Sequence, residues 1–577
     1  MTLLARAACV ALLAMLLTTP ALAQSSAEPE DDDEPPPPSS SVQPGDALPP
    51  ADLSPEVLYG YLVAEIALQR GSAGLAAQTF VELAKRTRDP RIARRAVEVA
   101  NVARLRDLAL EGARVWYEVN PGSPQALQSL TVLLIGARRV DEAEPLLEKL
   151  LASDGPAAAN GFMQLGRLLA SNPDRKQNLE VVARLARKHR KLPEAHFAVA
   201  QAAIAAEDEG RALAAVREAS RLRPEWELPA LFEAQVLQRS KPDAAIARLA
   251  AFLARNPDSR EVRLNYARAL VGERKYDEAR AEFEKLVAAN PANPDLIYAV
   301  GLLAVQAREY GVAEGNLRRA LELGFRDANA ARFTLGQIAE ERKDFAAARD
   351  WYRSVTPGDH YLPSRVRYAQ TLSREGNLDE ARRFLRLQAA GEAQATPFVI
   401  AEAQILRDAG KHSDAYDLLG QALAKSPDQA ELLYDHALTA EKLDRFDVLE
   451  SNLRKLIQMQ PKHAHAYNAL GYSLADRNLR LDEAKTLIEK ALELAPDDAA
   501  IVDSMGWVLY RMGDLKGAIQ FLRRAFRGRQ DGEIAAHLGE VLWMSGEREE
   551  ASRIWDETLK NHPADEILLK TIQRLRK

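Results

Sequence analysis

The sequence comes nearest to offering a nucleophile at Gly471-Tyr472-Ser473-Leu474-Ala475. Many hydrolases present a serine on a sharp strand-to-helix turn bracketed by glycines. Here the closing glycine is absent and the flanking pattern is helical, so the segment does not read as that turn. His463 and His465 lie close enough to share a metal ion. They lack a third ligand, and a surface pair at a helix start accounts for them better. There is no phosphate-cradling loop and no dinucleotide fingerprint. The expectation is a chain with no catalytic residues, no cofactor and no metal site, hence not an enzyme.

What remains is chemistry suited to binding. His465, Asn468 and Tyr472 form one group, Asp503, Trp507 and Tyr510 a second, and His537, Glu540 and Trp543 a third. Rings interleaved with an amide and carboxylates suit an extended peptide, since rings cover its side chains and polar groups bond its backbone. For Trp507, Trp543 and Tyr510 the alternative is packing between helices. A lysine at the fifth position of a helix with an asparagine at the ninth, which would clamp a terminal carboxylate, occurs in no repeat. Two basic runs, Arg184, Arg187, Lys188, Arg190, Lys191 and Arg523, Arg524, Arg527, Arg529, read as solvated helix faces, with an acidic partner as the alternative.

The three groups recur because the chain recurs. Leu470-Gly471, Met505-Gly506 and Leu538-Gly539 each pair a large residue with a small one, and Leu474, Leu509 and Leu542 follow. Then come Ala484 with Ile488, Ala518 with Leu522, and Ala551 with Trp555. This is the tetratricopeptide pattern. Run backward, it places repeat starts near 57, 90, 124, 159, 193, 226, 260, 294, 329, 362, 396, 430, 464, 499 and 532, a mean step of about 34 residues. Alanine recurs at the small position of the second helix in Ala212, Ala245, Ala279, Ala313, Ala348, Ala381 and Ala415. Gly376, Gly410, Gly513 and Gly546 stand where a left-handed residue ends a helix. Pro427-Asp428, Pro496-Asp497 and Pro257-Asp258 should stop one helix and offer a carboxylate to cap the next.

The predicted fold is therefore all-α, a right-handed tetratricopeptide superhelical solenoid of about fifteen helix-turn-helix units. The first few units are divergent, and a capping helix closes the C-terminus. The weakest match is 159–192. Apolar residues at 47%, charged residues at 28% and aromatics at only 6% agree with a globular helical chain of 577 residues. A net charge of −6 gives no sign of nucleic-acid binding.

The N-terminus reads as an export signal over 1–23. Arg6 precedes the apolar run Cys9–Leu17, and Ala21-Leu22-Ala23 is a small-x-small cleavage site. Cys9 is the sole cysteine and lies inside that signal, away from any lipidation site. A periplasmic location follows, with no disulfide and no transmembrane segment in the mature chain. Residues 24–53, with Glu30 to Glu34 and Pro35 to Pro38, read as a disordered acidic linker. The expected divisions beyond it are divergent helical repeats over 54–192, the regular array over 193–563 and the capping helix over 564–577.

The motifs between 464 and 563 are more specific. Asn468-Ala469-Leu470-Gly471-Tyr472-Ser473-Leu474, Asp503-Ser504-Met505-Gly506-Trp507-Val508-Leu509-Tyr510 and Ala535-Ala536-His537-Leu538-Gly539-Glu540-Val541-Leu542-Trp543 resemble a bacterial periplasmic and outer-membrane tetratricopeptide-repeat family. That is the family of LbcA, the lipoprotein adaptor of the carboxyl-terminal processing protease CtpA. The resemblance implies a scaffold that recruits such a protease and its cell-wall hydrolase clients. The lipidated cysteine of the lipoprotein members is missing here, so envelope association would be peripheral. A structural scaffold in outer-membrane biogenesis or polysaccharide export is the alternative.

Overall fold

The computed structural model describes residues 54–151, 155–391 and 395–576. The expected signal segment and acidic linker lie outside the described residues. Within them the chain is helical with no strand. Fifteen helix pairs run from Pro55–Gln69 with Ala73–Thr87 to Gly532–Ser545 with Arg548–Asn561, and a single helix, Glu566–Leu575, follows. In each pair the first helix is called A and the second B, and the pairs are numbered as repeats one to fifteen. Every A helix begins within three residues of the start read from the period. The largest offset is at the unit expected near 159, which begins at Pro156 and carries a short 3-10 turn at Leu169–Ser171. The array divides into two compact units, repeats one to eight up to Leu323 and repeats nine to fifteen from Gly324.

The small-residue positions hold each pair together. Ala212, Ala245, Ala279, Ala313, Ala348, Ala381, Ala415, Ala484, Ala518 and Ala551 are all fully buried. Opposite them, a Cβ on Gly471 would come within 2.7 Å of Ile488 Cγ1 and 2.9 Å of the Ala484 carbonyl oxygen. A Cβ on Gly506 would meet Leu522 Cγ at 2.5 Å, and one on Gly539 would overlap the Trp555 indole. Helix A thus rests on helix B without a side chain between the backbones, and the large B residue fills the hollow. Repeat twelve departs from the pattern, with Leu449 fully buried where alanine is the rule.

The turns follow the expectation in part. Gly376, Gly410, Gly513 and Gly546 have φ of 87°, 74°, 91° and 95°, the left-handed helix end foreseen. Elsewhere the same position is filled by Arg104, Arg138, Glu207, Arg274, Arg308, Lys343, Asp444 and Asn478, all at positive φ. The expected carboxylate caps are displaced. Asp498, not Asp497, caps the helix Ala499–Arg511, accepting from the Ala500 and Ile501 amides at 2.9 and 3.2 Å. Ser259 rather than Asp258 caps Arg260–Gly272, and Gln429 stands before Ala430–Lys442 with no side-chain cap. The turn after each proline is one residue longer than the capping geometry of Asp428, Asp497 or Asp258 would need. A B-helix cation uses that turn instead. Arg319 donates to the Pro291 carbonyl at 2.7 Å, Lys455 to that of Pro427 at 2.7 Å, and Arg524 to that of Pro496. Lys455 also pairs with Asp428 at 2.8 Å.

The same substitution should act with opposite signs at two glycines. Gly539→Ala forces a methyl into the Trp555 ring and should cost about 1–3 kcal/mol or more. Gly315→Ala, inside the helix Tyr310–Glu322 with nothing within 4 Å of the added methyl, should gain up to about 1 kcal/mol from helix propensity. Urea denaturation of the two variants beside the parent reads both.

Candidate functional site

The nine residues picked out from the sequence lie on the A helices of repeats thirteen to fifteen, Ala464–Asp476, Ala499–Arg511 and Gly532–Ser545. The structure draws several of them into one internal network. His537 Nδ1 is 2.8 Å from Asp503 Oδ2, and the Trp507 ring stacks on the imidazole at a centroid distance of 4.2 Å and 23°. The Tyr472 hydroxyl reaches past repeat fourteen to His537 Nε2 at 3.4 Å and Glu533 Oε1 at 3.5 Å, the outer limit of hydrogen bonding. Tyr510 donates to Glu540 Oε1 at 3.4 Å, and Arg574 of the last helix pairs with the other oxygen of Glu540.

Asp503, Trp507, His537 and Glu540 are consequently 4–6% exposed. Glu540 anchors the terminal helix. Trp543 is half-buried and lies over Trp555 of its own repeat at 5.6 Å. His465 is exposed, and Asn468, Tyr472 and Tyr510 are half-buried. Glu533, missed in the sequence, is exposed on the same face. The register could have found it: it stands six residues before Gly539, as His465 stands six before Gly471. His463 Nδ1 accepts from the Ala466 amide at 3.1 Å, so that ring caps its helix.

The network has a definite charge preference. Burial disfavours the charged imidazole of His537, but the charge and hydrogen bond of Asp503, then Glu533 and Glu540, outweigh it, so its pKa is raised. The Glu533 carboxyl is also raised, chiefly by its crowded surroundings; His537 opposes this and Asp503 and Asp531 add to it. Burial pushes the Tyr472 hydroxyl upward as well.

The first repeat holds a face that sequence reading passed over. Leu58, Leu62 and Ile66, four residues apart on the helix Pro55–Gln69, are 45%, 49% and 48% exposed. Tyr59 beside them and Leu75 on the next helix are exposed too. Between the two helices opens a cavity of about 590 Å³ bordered by Glu56, Tyr59, Leu83 and Arg86. The signal was available: Val57 to Leu68 has no polar face, although the outer face of a terminal repeat is normally polar. The two basic runs are neutralised within the chain in part. Arg184 pairs with Glu144, Lys188 with Glu148, and Arg523 with Glu547 and Glu550.

A raised histidine pKa stabilises the fold below the unfolded value of about 6.5, and that contribution fades as pH rises toward the folded value. Relative to His537→Gln, the parent should therefore lose melting temperature as pH is raised from about 6 to 8. Circular dichroism melts across that range check it.

Comparison with protein-family profiles agrees with this architecture. Tetratricopeptide-repeat family profiles match residues 236–303, 298–360, 434–499 and 474–533. The TPR repeat-containing protein PA4667 of Pseudomonas aeruginosa is 35% identical over 529 residues, covering 90% of this chain and 88% of that protein. The BBSome complex member BBS4 of Bos taurus is 23% identical over 183 residues, 31% of this chain and 35% of that one. A thermophilic tetratricopeptide-repeat protein of Thermus thermophilus, known from its crystal structure, matches at 23% identity with a TM-score of 0.29, over 31% of this chain and 98% of its own. Repeats of this kind bind protein partners and are generally non-catalytic. With 35% identity along nine-tenths of its length, the chain belongs to the tetratricopeptide-repeat family that includes the Pseudomonas protein.

Proposed function

We propose that this chain is an exported, non-enzymatic scaffold of the bacterial periplasm. It holds a carboxyl-terminal processing protease and presents cell-wall hydrolase clients to it. The observation that carries the reading is the exposed stripe of Leu58, Leu62 and Ile66 with Tyr59 and Leu75. Apolar side chains left in water at the end of an array mark a surface that another protein covers. The motif resemblance between 464 and 563 supports the choice of partner. The rim of the C-terminal groove, where His465, Asn468, Tyr472, Glu533 and Tyr510 remain accessible in part, suits client segments. Among the described residues no helix is long and apolar enough to cross a membrane, consistent with peripheral envelope association.

The test is affinity capture from periplasmic extract with protein starting at Gln24, comparing the parent with Leu58→Asp/Leu62→Asp. A carboxyl-terminal processing protease should be retained by the parent. The variant should lose at least about tenfold in affinity, about 1.4 kcal/mol, at an unchanged melting temperature because both side chains already face water. Equal retention would remove the first repeat from the reading. Retention of an outer-membrane assembly or export complex in place of the protease would support the envelope-assembly scaffold instead.

A further inference from the structure

A second surface lies in repeats five and six, away from both the first repeat and the C-terminal groove. Helix B of repeat five, Glu209–Leu222, and both helices of repeat six, Glu227–Gln238 and Pro242–Leu253, border an open cavity of about 370 Å³. Arg217, Arg221, Arg248 and Arg255 surround it. Its floor includes the buried Phe252, and Pro224 stands at its rim.

The arginines are held in place by very little negative charge. Glu233, 4% exposed, accepts from Arg217 Nε at 2.7 Å and from Arg248 Nε at 2.5 Å. Both guanidiniums are thus fixed through their inner nitrogen, and Arg248 places one outer nitrogen 2.9 Å from Ser220 Oγ. Arg221 is paired with Glu218 on its own helix at 2.7 Å. No carboxylate pairs with Arg255 among the described residues. Four cations against the two anions Glu233 and Glu218 leave a surplus of two positive charges. This sets the cavity apart from the run around Arg523, where Arg523, Arg524 and Arg529 each pair with a carboxylate.

We infer that this cavity binds an acidic peptide segment of a partner protein, with two neighbouring Asp or Glu side chains facing the arginines. The inference rests on the protein-binding reading of the chain but not on which protein is bound. Guanidinium forks match carboxylates in geometry, and the outer nitrogens of Arg217 and Arg255 are available to them. The size of the cavity favours a peptide over a small anion: a lone phosphate would leave most of it empty, whereas two acidic side chains and their backbone fill it. The exposure of Arg217 and Arg221, 60% and 67% of their side chains, makes the interaction sensitive to salt.

The experiment is fluorescence anisotropy at low ionic strength with the chain from Gln24. The probe is a fluorescein-labelled, amidated hexapeptide containing three consecutive glutamates, and its control carries glutamines instead. The glutamate peptide should bind, the glutamine peptide at least about tenfold more weakly. Arg221→Gln/Arg255→Gln should weaken the glutamate peptide by a similar factor without moving the melting temperature. Equal binding by the double variant, or by the glutamine peptide, overturns the inference. Displacement by inorganic phosphate at concentrations as low as those of unlabelled peptide also overturns it and assigns the cavity to a phosphoryl group. Loss of peptide binding in the double variant with protease capture intact separates this site from the first-repeat surface. Capture failing while peptide binding persists leaves the cavity assignment standing.

Discussion

Two helix backbones can touch only where no side chain stands between them. In this chain that requirement is met in most repeats by a glycine or alanine on helix A facing an alanine on helix B. Gly336 beside Tyr352, Gly471 against Ala484, Gly506 against Ala518 and Gly539 beside Trp555 are close instances. The close approach sets the tilt of each pair. The tilt sets how the next pair stacks, and stacking is what buries an apolar face that one pair alone would leave wet. The rest of the molecule adapts to that spacing, down to a tryptophan in repeat fifteen and a tyrosine, Tyr352, in repeat nine where several other repeats place leucine or isoleucine.

Because the contact is local and periodic, it was written plainly in the sequence. The helix starts, the small-residue column and the glycine turns at Gly376, Gly410, Gly513 and Gly546 all followed from residue type and spacing. The turn chemistry was less legible. A proline followed by aspartate suggests a cap, yet the carboxylate of Asp497 stands one residue too early and Asp498 takes the role. Contacts between repeats were not legible at all. Nothing in the period predicts that Arg319, Lys455 and Arg524 reach back to a proline carbonyl, or that the buried Glu402 receives both Arg382 and Arg386. Long side chains choose among many partners, and only the stacked geometry decides.

The candidate site shows the same division. The repeat places Asp503, Trp507, His537 and Tyr472 on one set of helix faces, which the sequence resolves. Whether that face stays open depends on how strongly neighbouring A helices converge. Here Tyr472 touches residues two repeats away, and the convergence folds the most distinctive polar and aromatic groups into a mutual network. The exposed apolar stripe of the first repeat went unread for the opposite reason: apolar residues in a helix suggest core until it is seen that none of the described residues covers them.

The residues at the ends of the A helices divide the array in another sense. In the first unit the left-handed position holds Arg104, Arg138, Glu207, Arg274 and Arg308, with Gly71 in the first repeat, whereas in the second unit glycine fills it in four repeats and Lys343, Asp444 and Asn478 in three. An L-residue held there carries roughly 1–2 kcal/mol of backbone strain that glycine does not. That strain is released whenever a turn opens, so transient fraying at these corners is easier in the first unit than at the glycine corners of the second. Strained corners are thus commoner in the first unit than in the second, but the repeat that carries the exposed apolar stripe turns on Gly71 and is free of that strain. The yielding corners begin one repeat later, at Arg104 and Arg138, so the stripe rides on a relaxed turn stacked against more easily frayed ones.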